Sequence, residues 1–123
     1  MAEKVKSYRE LLIWQKGIEL VKEIYRLTKI FPKEEIYALC GQLRRSAVSV
    51  PSNIAEGQAR QHTGEFKQFL FVALGSLAEL DTQLVVANIL GYLTSKELDK
   101  MSERIEELRK MTRGLISKLN TVH

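Results

Sequence analysis

The chain has 123 residues and a mass of 14.1 kDa, the size of one domain. Hydrophobic residues make up 45% and charged residues 28%, as in an ordinary globular protein and unlike a disordered tail, while 7 Gly and 2 Pro are too few for a loop-rich all-β domain. The net charge of +4 permits an anionic partner without demanding one.

Four segments carry helical periodicity. The first spans about residues 8–30, with Leu11, Trp14, Ile18, Val21 and Tyr25 at alternating steps of three and four. Glu19–Lys22 and Glu23–Arg26 are favourable i,i+3 pairs. Phe31-Pro32 ends it, because the residue before proline is pushed out of helical dihedrals. The second spans about residues 33–55. Its seam is Ile36, Cys40, Leu43, Ala47, Val50 and Ile54, and Glu34 and Glu35 in its first turn complement the helix dipole. Pro51 falls inside this seam and predicts a kink, since the pattern continues in phase to Ile54. Gly57 is the expected C-terminal cap.

The third spans about residues 64–90, with Thr63 as its expected N-cap. Phe66, Leu70, Ala73, Leu77, Leu80, Leu84 and Ala87 form the most regular seam in the chain, and Gly91 is placed to cap its end. The fourth spans about residues 95–118. Thr94-Ser95-Lys96-Glu97 is a capping box, and Leu98, Met101, Ile105, Leu108, Met111 (or Thr112), Leu115 and Leu119 make its stripe. Four amphipathic helices on short connections predict an all-α, up-down-up-down antiparallel four-helix bundle, one domain over residues 1–123.

The chemistry of an enzyme is not visible. Cys40 lies on an apolar seam, where a thiol is a small buried hydrophobe. With one cysteine and two histidines, His62 and His123, an internal disulfide is excluded and a zinc site improbable. Gly57, Gly64 and Gly75 are isolated, not a phosphate loop. No catalytic residue, cofactor or small-molecule substrate is expected. Residues 1–10 are polar and mixed in charge, unlike a signal peptide. No uninterrupted apolar run approaches the roughly 18–20 residues of a membrane span. A reduced, cytoplasmic protein is expected.

Four features carry functional weight. Arg44 and Arg45 are the only charges between Ile36 and Ala55. They either pair with acids of a neighbouring helix, Glu79 or Asp81, or contact RNA phosphate together with Arg60, His62 and Lys67. Arg109, Lys110, Arg113 and Lys118 follow one another with no acid from Leu108 onward. They complement a helix C-terminus or hold a nucleic-acid backbone. Small residues around Pro51 permit close helix approach, with Asn53 and Glu56 available to freed backbone groups or a partner chain. On the third helix Phe69, Val72, Val85, Val86 and Ile89 exceed what one bundle interior needs, which predicts homo-oligomerisation through that helix.

The stretch Gln42-Leu43-Arg44-Arg45-Ser46-Ala47-Val48-Ser49-Val50-Pro51-Ser52-Asn53-Ile54-Ala55-Glu56-Gly57 resembles the signature of the four-helix bundle proteins known as 23S rRNA intervening sequence proteins, or the S23 family. Leu12-Ile13-Trp14-Gln15-Lys16, Phe31-Pro32-Lys33-Glu34-Glu35 and Phe66 through Leu84, centred on Gly75-Ser76-Leu77-Ala78-Glu79-Leu80, match as well. Val50 stands where isoleucine is usual. The similarity runs from about Tyr8 to Leu119. It implies a bundle assembled as a homopentameric ring. Some members are encoded in insertions of bacterial 23S rRNA genes. A related branch comprises accessory proteins of diversity-generating retroelements, which bind a reverse transcriptase and nucleic acid. The resemblance transfers no catalytic residue. Two functions follow as expectations: a non-enzymatic homo-oligomer that binds structured RNA or an RNA–protein complex, or a protein–protein adaptor such as an accessory subunit of a reverse transcriptase.

Overall fold

The computed structural model describes residues 7–121. Four α-helices follow one another: α1 (Leu12–Thr28), α2 (Leu39–Ala59), α3 (Thr63–Ile89) and α4 (Ser95–Asn120). Single 3₁₀ turns, Tyr8–Glu10 and Lys33–Glu35, precede α1 and α2. No strand occurs among the described residues. Each helix packs on the next in sequence, and α4 closes on α1. The register is antiparallel throughout. Arg44 of α2 reaches Thr28 of α1, Ser49 of α2 faces Ser76 of α3, Lys67 of α3 reaches Asn120 of α4, and Lys16 and Arg104 tie α1 to α4 through Glu107 and Glu23. This is the up-down-up-down four-helix bundle that the sequence predicts.

The interior of α2 and α3 follows the expected seams. Cys40, Leu43, Ala47, Val50 and Ile54 are buried against Leu70, Ala73, Leu77, Leu80, Leu84 and Ala87. Ile36 leaves the seam, because the chain there is a turn and α2 starts only at Leu39. α1 is rotated onto the adjacent stripe. Ile13, Gly17, Leu20, Ile24 and Leu27 are buried, whereas Leu11, Trp14, Ile18 and Val21 flank the core and Tyr25 is exposed. Both stripes have helical spacing. Gly17 decides between them: a Cβ there would stand 3.3 Å from Pro51 Cβ, so α1 presents its barest position to the proline ring. In α4 the buried line runs through Met101, Ile105, Leu108, Thr112 and Ile116, leaving Leu115 and Leu119 half-covered.

Pro51 lies within one undivided α2. Asn53 Nδ2 donates to the Ser49 carbonyl at 2.8 Å and to Ser49 Oγ at 2.9 Å, and Glu56 pairs with Arg60. Neither serves the Ala47 carbonyl, one turn before Pro51, which proline cannot donate to.

The caps differ in part from expectation. Gly57 does not end α2. It is buried mid-turn, where a Cβ would come 2.7 Å from Phe69 Cβ, and the left-handed residue after the helix is Gln61 (φ 61°). Thr63 is the first residue of α3, with His62 at the cap position. Gly91 (φ 84°) does cap α3: its N–H donates to Asn88 O at 3.0 Å and that of Tyr92 to Ala87 O at 2.9 Å, the paired bonds of a Schellman motif. The Thr94–Glu97 capping box closes reciprocally at 2.9 and 3.1 Å.

Candidate nucleic-acid and assembly surfaces

The antiparallel order separates the basic residues that sequence reasoning grouped. Arg44 and Arg45 lie near the N-terminal end of α2, and Arg60 just beyond its other end. Fifteen residues at 1.5 Å each put them about 22 Å apart along the axis. Arg44 turns inward to α1: its Nε donates to Thr28 Oγ1 at 3.0 Å and its guanidinium stacks 4.7 Å from the Tyr25 ring centre. Thr28 is buried and donates in turn to the Ile24 carbonyl at 2.7 Å, so Arg44 is held by a chain of bonds on α1. It does not pair with Glu79 or Asp81; Asp81 accepts from Ser102. Arg45 is exposed and has no ion pair or hydrogen bond among the described residues.

At the opposite end of the bundle, α2, α3 and α4 bring Arg60, Lys67 and the last turns of α4 together. Arg60 forms an ion pair with Glu56 at 3.2 Å and lies over the Phe69 ring at 5.3 Å. Lys67 Nζ donates to Asn120 Oδ1 at 2.8 Å. Arg109 is clamped by Glu106, with Nε donating at 2.7 Å, and this bond holds the Glu106 carboxyl below its ordinary range. Lys110, Arg113 and Lys118 are exposed and unpaired among the described residues. Lys110 and Arg113, three residues apart, share one side of α4, whereas Lys118, five residues beyond Arg113, points about 140° away from it. His62 is exposed beside this end. At this end of the bundle the cations without an ion pair thus include Lys67, Lys110, Arg113 and Lys118.

The outward face of α3 is apolar over most of its length. Phe71, Val72, Val85, Val86, Ile89 and Leu90 are exposed, with the small residues Gly75, Ala78 and Thr82 between them and Glu79 as an interrupting charge. Phe69 is not part of it. It is half-buried against Gly57 and Arg60, and Phe71 takes the outward place. Such a surface is unusual for a lone domain. By length and composition α3 is also apolar enough to cross a membrane, with a hydropathy of 1.6 over its best window. Scanning for uninterrupted apolar runs missed this, because small and polar residues break the run while the average stays high. Ile30 and Tyr37, both strongly exposed, add apolar surface at the end of the bundle where Phe31 stacks on Tyr92.

Cys40 is buried and its Sγ lies 3.7 Å from the Thr28 carbonyl. Desolvation pushes its thiol above the ordinary range. No group of three or more His, Cys, Asp or Glu side chains is arranged to hold a metal among the described residues.

The fold is an antiparallel four-helix bundle with basic side chains at one end and an apolar flank on α3. Residues 9–114 match the family model of the 23S rRNA-intervening sequence proteins, and the chain belongs to that family. A crystal structure of a protein of unknown function from the S23 ribosomal protein family of Bacteroides thetaiotaomicron superposes with a TM-score of 0.78, at 23% identity, over 85% of this chain and 98% of that one. No curated protein matches this chain.

Proposed function

We propose that the protein is a non-enzymatic, self-associating bundle that binds structured RNA, or an RNA–protein complex, in the cytoplasm. The observation that carries this reading is the division of its surface. Lys110 and Arg113 share one side of α4 with no ion pair among the described residues, while the outward face of α3 is apolar. Exposed cations suit phosphate oxygens, which fix position without reading sequence. The apolar α3 face suits copies of the same chain, closing as the pentamer implied by the family resemblance.

The test is a titration with a 23S rRNA fragment at about 50 and 200 mM salt. Three to four phosphate contacts should weaken affinity by about 10²-fold over that range. Lys110→Glu with Arg113→Glu should remove most of the binding. Binding that ignores both salt and these substitutions overturns the RNA reading. Light scattering tests association separately: a mass near 14.1 kDa would overturn it, and Val72→Asp with Val86→Asp should dissociate an oligomer. A second reading, an adaptor for a protein partner such as a reverse transcriptase, is favoured by Ile30 and Tyr37, which stand exposed away from the α4 basic face.

A further inference from the structure

α1 carries two apolar stripes, and the core takes one of them. Ile13, Leu20, Ile24 and Leu27 face inward. Trp14, Ile18 and Val21 stay half-buried, and with Val48, Ser52 and Ala55 of α2 they wall an open groove of about 290 Å³. Tyr8 stacks on Trp14 at one end, with ring centres 5.5 Å apart. At the other end the stripe runs on to Tyr25, exposed beneath the Arg44 guanidinium. No charged side chain lines this groove among the described residues. Two other grooves between helices are polar. The one between α1 and α4 is lined by Lys16, Glu19, Arg104 and Glu107. The α2–α3 cleft holds Ser46, Ser49, Ser76 and Gln83, and Gln83 Oε1 is buried with no donor among the described residues, so an apolar partner there would cut polar groups off from water.

We propose that the α1–α2 groove seats the α3 face of a second copy, so that the chains join head to tail. This rests on the self-association reading above and names the surface that α3 meets. The two faces match in character, since the large exposed side chains of α3, Phe71, Val72, Val85 and Val86, meet an apolar hollow whose α2 wall is built from the small residues Ser52 and Ala55. They match in length: Trp14 to Tyr25 spans about 16 Å, and Phe71 to Val86 about 22 Å. α1 and α3 are diagonal in the bundle, so the groove and the α3 face look different ways and serve different neighbours. Charge decides against α3 pairing with itself. Glu79 is the exposed acid midway along that face. A two-fold axis through that middle would bring each Glu79 beside its own copy, and like charges juxtaposed across an interface are costly. In the head-to-tail contact the acid meets α2, where Arg45 stands exposed one turn before Val48 and without an ion pair among the described residues. A contact between unlike faces leaves one of each free, so it propagates until a ring closes.

Val48→Asp with Ser52→Asp changes the groove at exposed positions and leaves α3 untouched. Light scattering on the full-length chain should show this variant dissociated, as fully as Val72→Asp with Val86→Asp. Mixed in equal amounts, the two variants should recover one contact, the intact α3 of the first in the intact groove of the second. The mixture should then give the mass of two protomers, which neither variant gives alone, and that recovery also shows that both fold. Glu79→Gln should weaken assembly about threefold, whereas α3 pairing with itself predicts tightening. Ser52→Cys with Val72→Cys, treated with a short bis-maleimide, should yield a ladder of linked protomers, because each chain offers two different contacts. A product that stops at two protomers overturns the inference, as do aspartate variants of parental helicity that fail to recombine. An oligomer that survives the groove variant but not the α3 variant overturns the head-to-tail contact and leaves self-association standing. A parent chain that scatters as a single protomer overturns both.

Discussion

Gly57→Ala probes the tightest of the glycine contacts between helices. Its Cβ would lie 2.7 Å from Phe69 Cβ, 3.1 Å from Phe66 Cδ1 and 3.3 Å from the Phe66 carbonyl. A Cβ is fixed to its own backbone, so the Phe69 contact cannot be relieved by a rotamer change, and α2 and α3 must separate by several tenths of an ångström. Overpacking of that kind costs about 1–3 kcal/mol. Alanine recovers about 1 kcal/mol of helix propensity lost to glycine, leaving a net destabilisation of about 0–2 kcal/mol. Gly114 is the internal control: it is exposed in α4 with no atom within 4 Å of its ideal Cβ, so Gly114→Ala should stabilise by about 0.5–1 kcal/mol. The two alanine variants should therefore differ by about 1–3 kcal/mol. At equal protomer concentration, which matters for a self-associating chain, that is a gap of roughly 4–10 °C in Tm, or a matching shift of the urea midpoint. Equal stabilisation by both substitutions would refute the packing argument.

At the α1–α2 crossing, Gly17→Val should destabilise by about 1–3 kcal/mol, because its methyls meet the Pro51 ring, already 3.3 Å from a bare Cβ; denaturant titration measures it. Cys40 should stay unmodified by a thiol reagent at pH 8 and react at once in denaturant, since it is buried and its thiol is pushed up by desolvation; fast labelling of the native protein would contradict its placement. The hydrogen bond from Arg26 holds the Glu23 carboxyl below the ordinary value, with Arg104 assisting. A carboxylate with a depressed folded pKa stabilises fully above its unfolded pKa and loses that contribution as pH falls through the folded one. Thermal melts from pH 6 down to pH 3 should therefore decline less steeply for Glu23→Gln than for the parent.

The surfaces show how unevenly a linear pattern encodes space. Arg44 and Arg45 are neighbours in sequence and read as one cationic patch, yet on a helix adjacent residues point about 100° apart. One is locked onto Thr28 and Tyr25 of α1, and the other opens onto the α2–α3 cleft. Their grouping with Arg60 and Lys67 fails because α2 carries the two sets to opposite ends. Phe69 and Phe71 were equally apolar in sequence; which one faces α2 depends on helix rotation. The Gln83 carbonyl had no signal at all, since an amide on a helix becomes notable only when its neighbours bury it without a donor.

Helix number, the seams of α2 and α3, the Thr94 capping box and the Gly91 stop were set by the sequence alone, because each depends on interactions within a turn or two of the chain. Which stripe of α1 faces inward, why Gly57 is bare, and which cations remain unpaired were decided by tertiary structure. Those outcomes depend on what lies across a helix interface, where Gly17 meets Pro51 and Gly57 meets Phe69, and side-chain volume on one helix has meaning only against the surface packed on it.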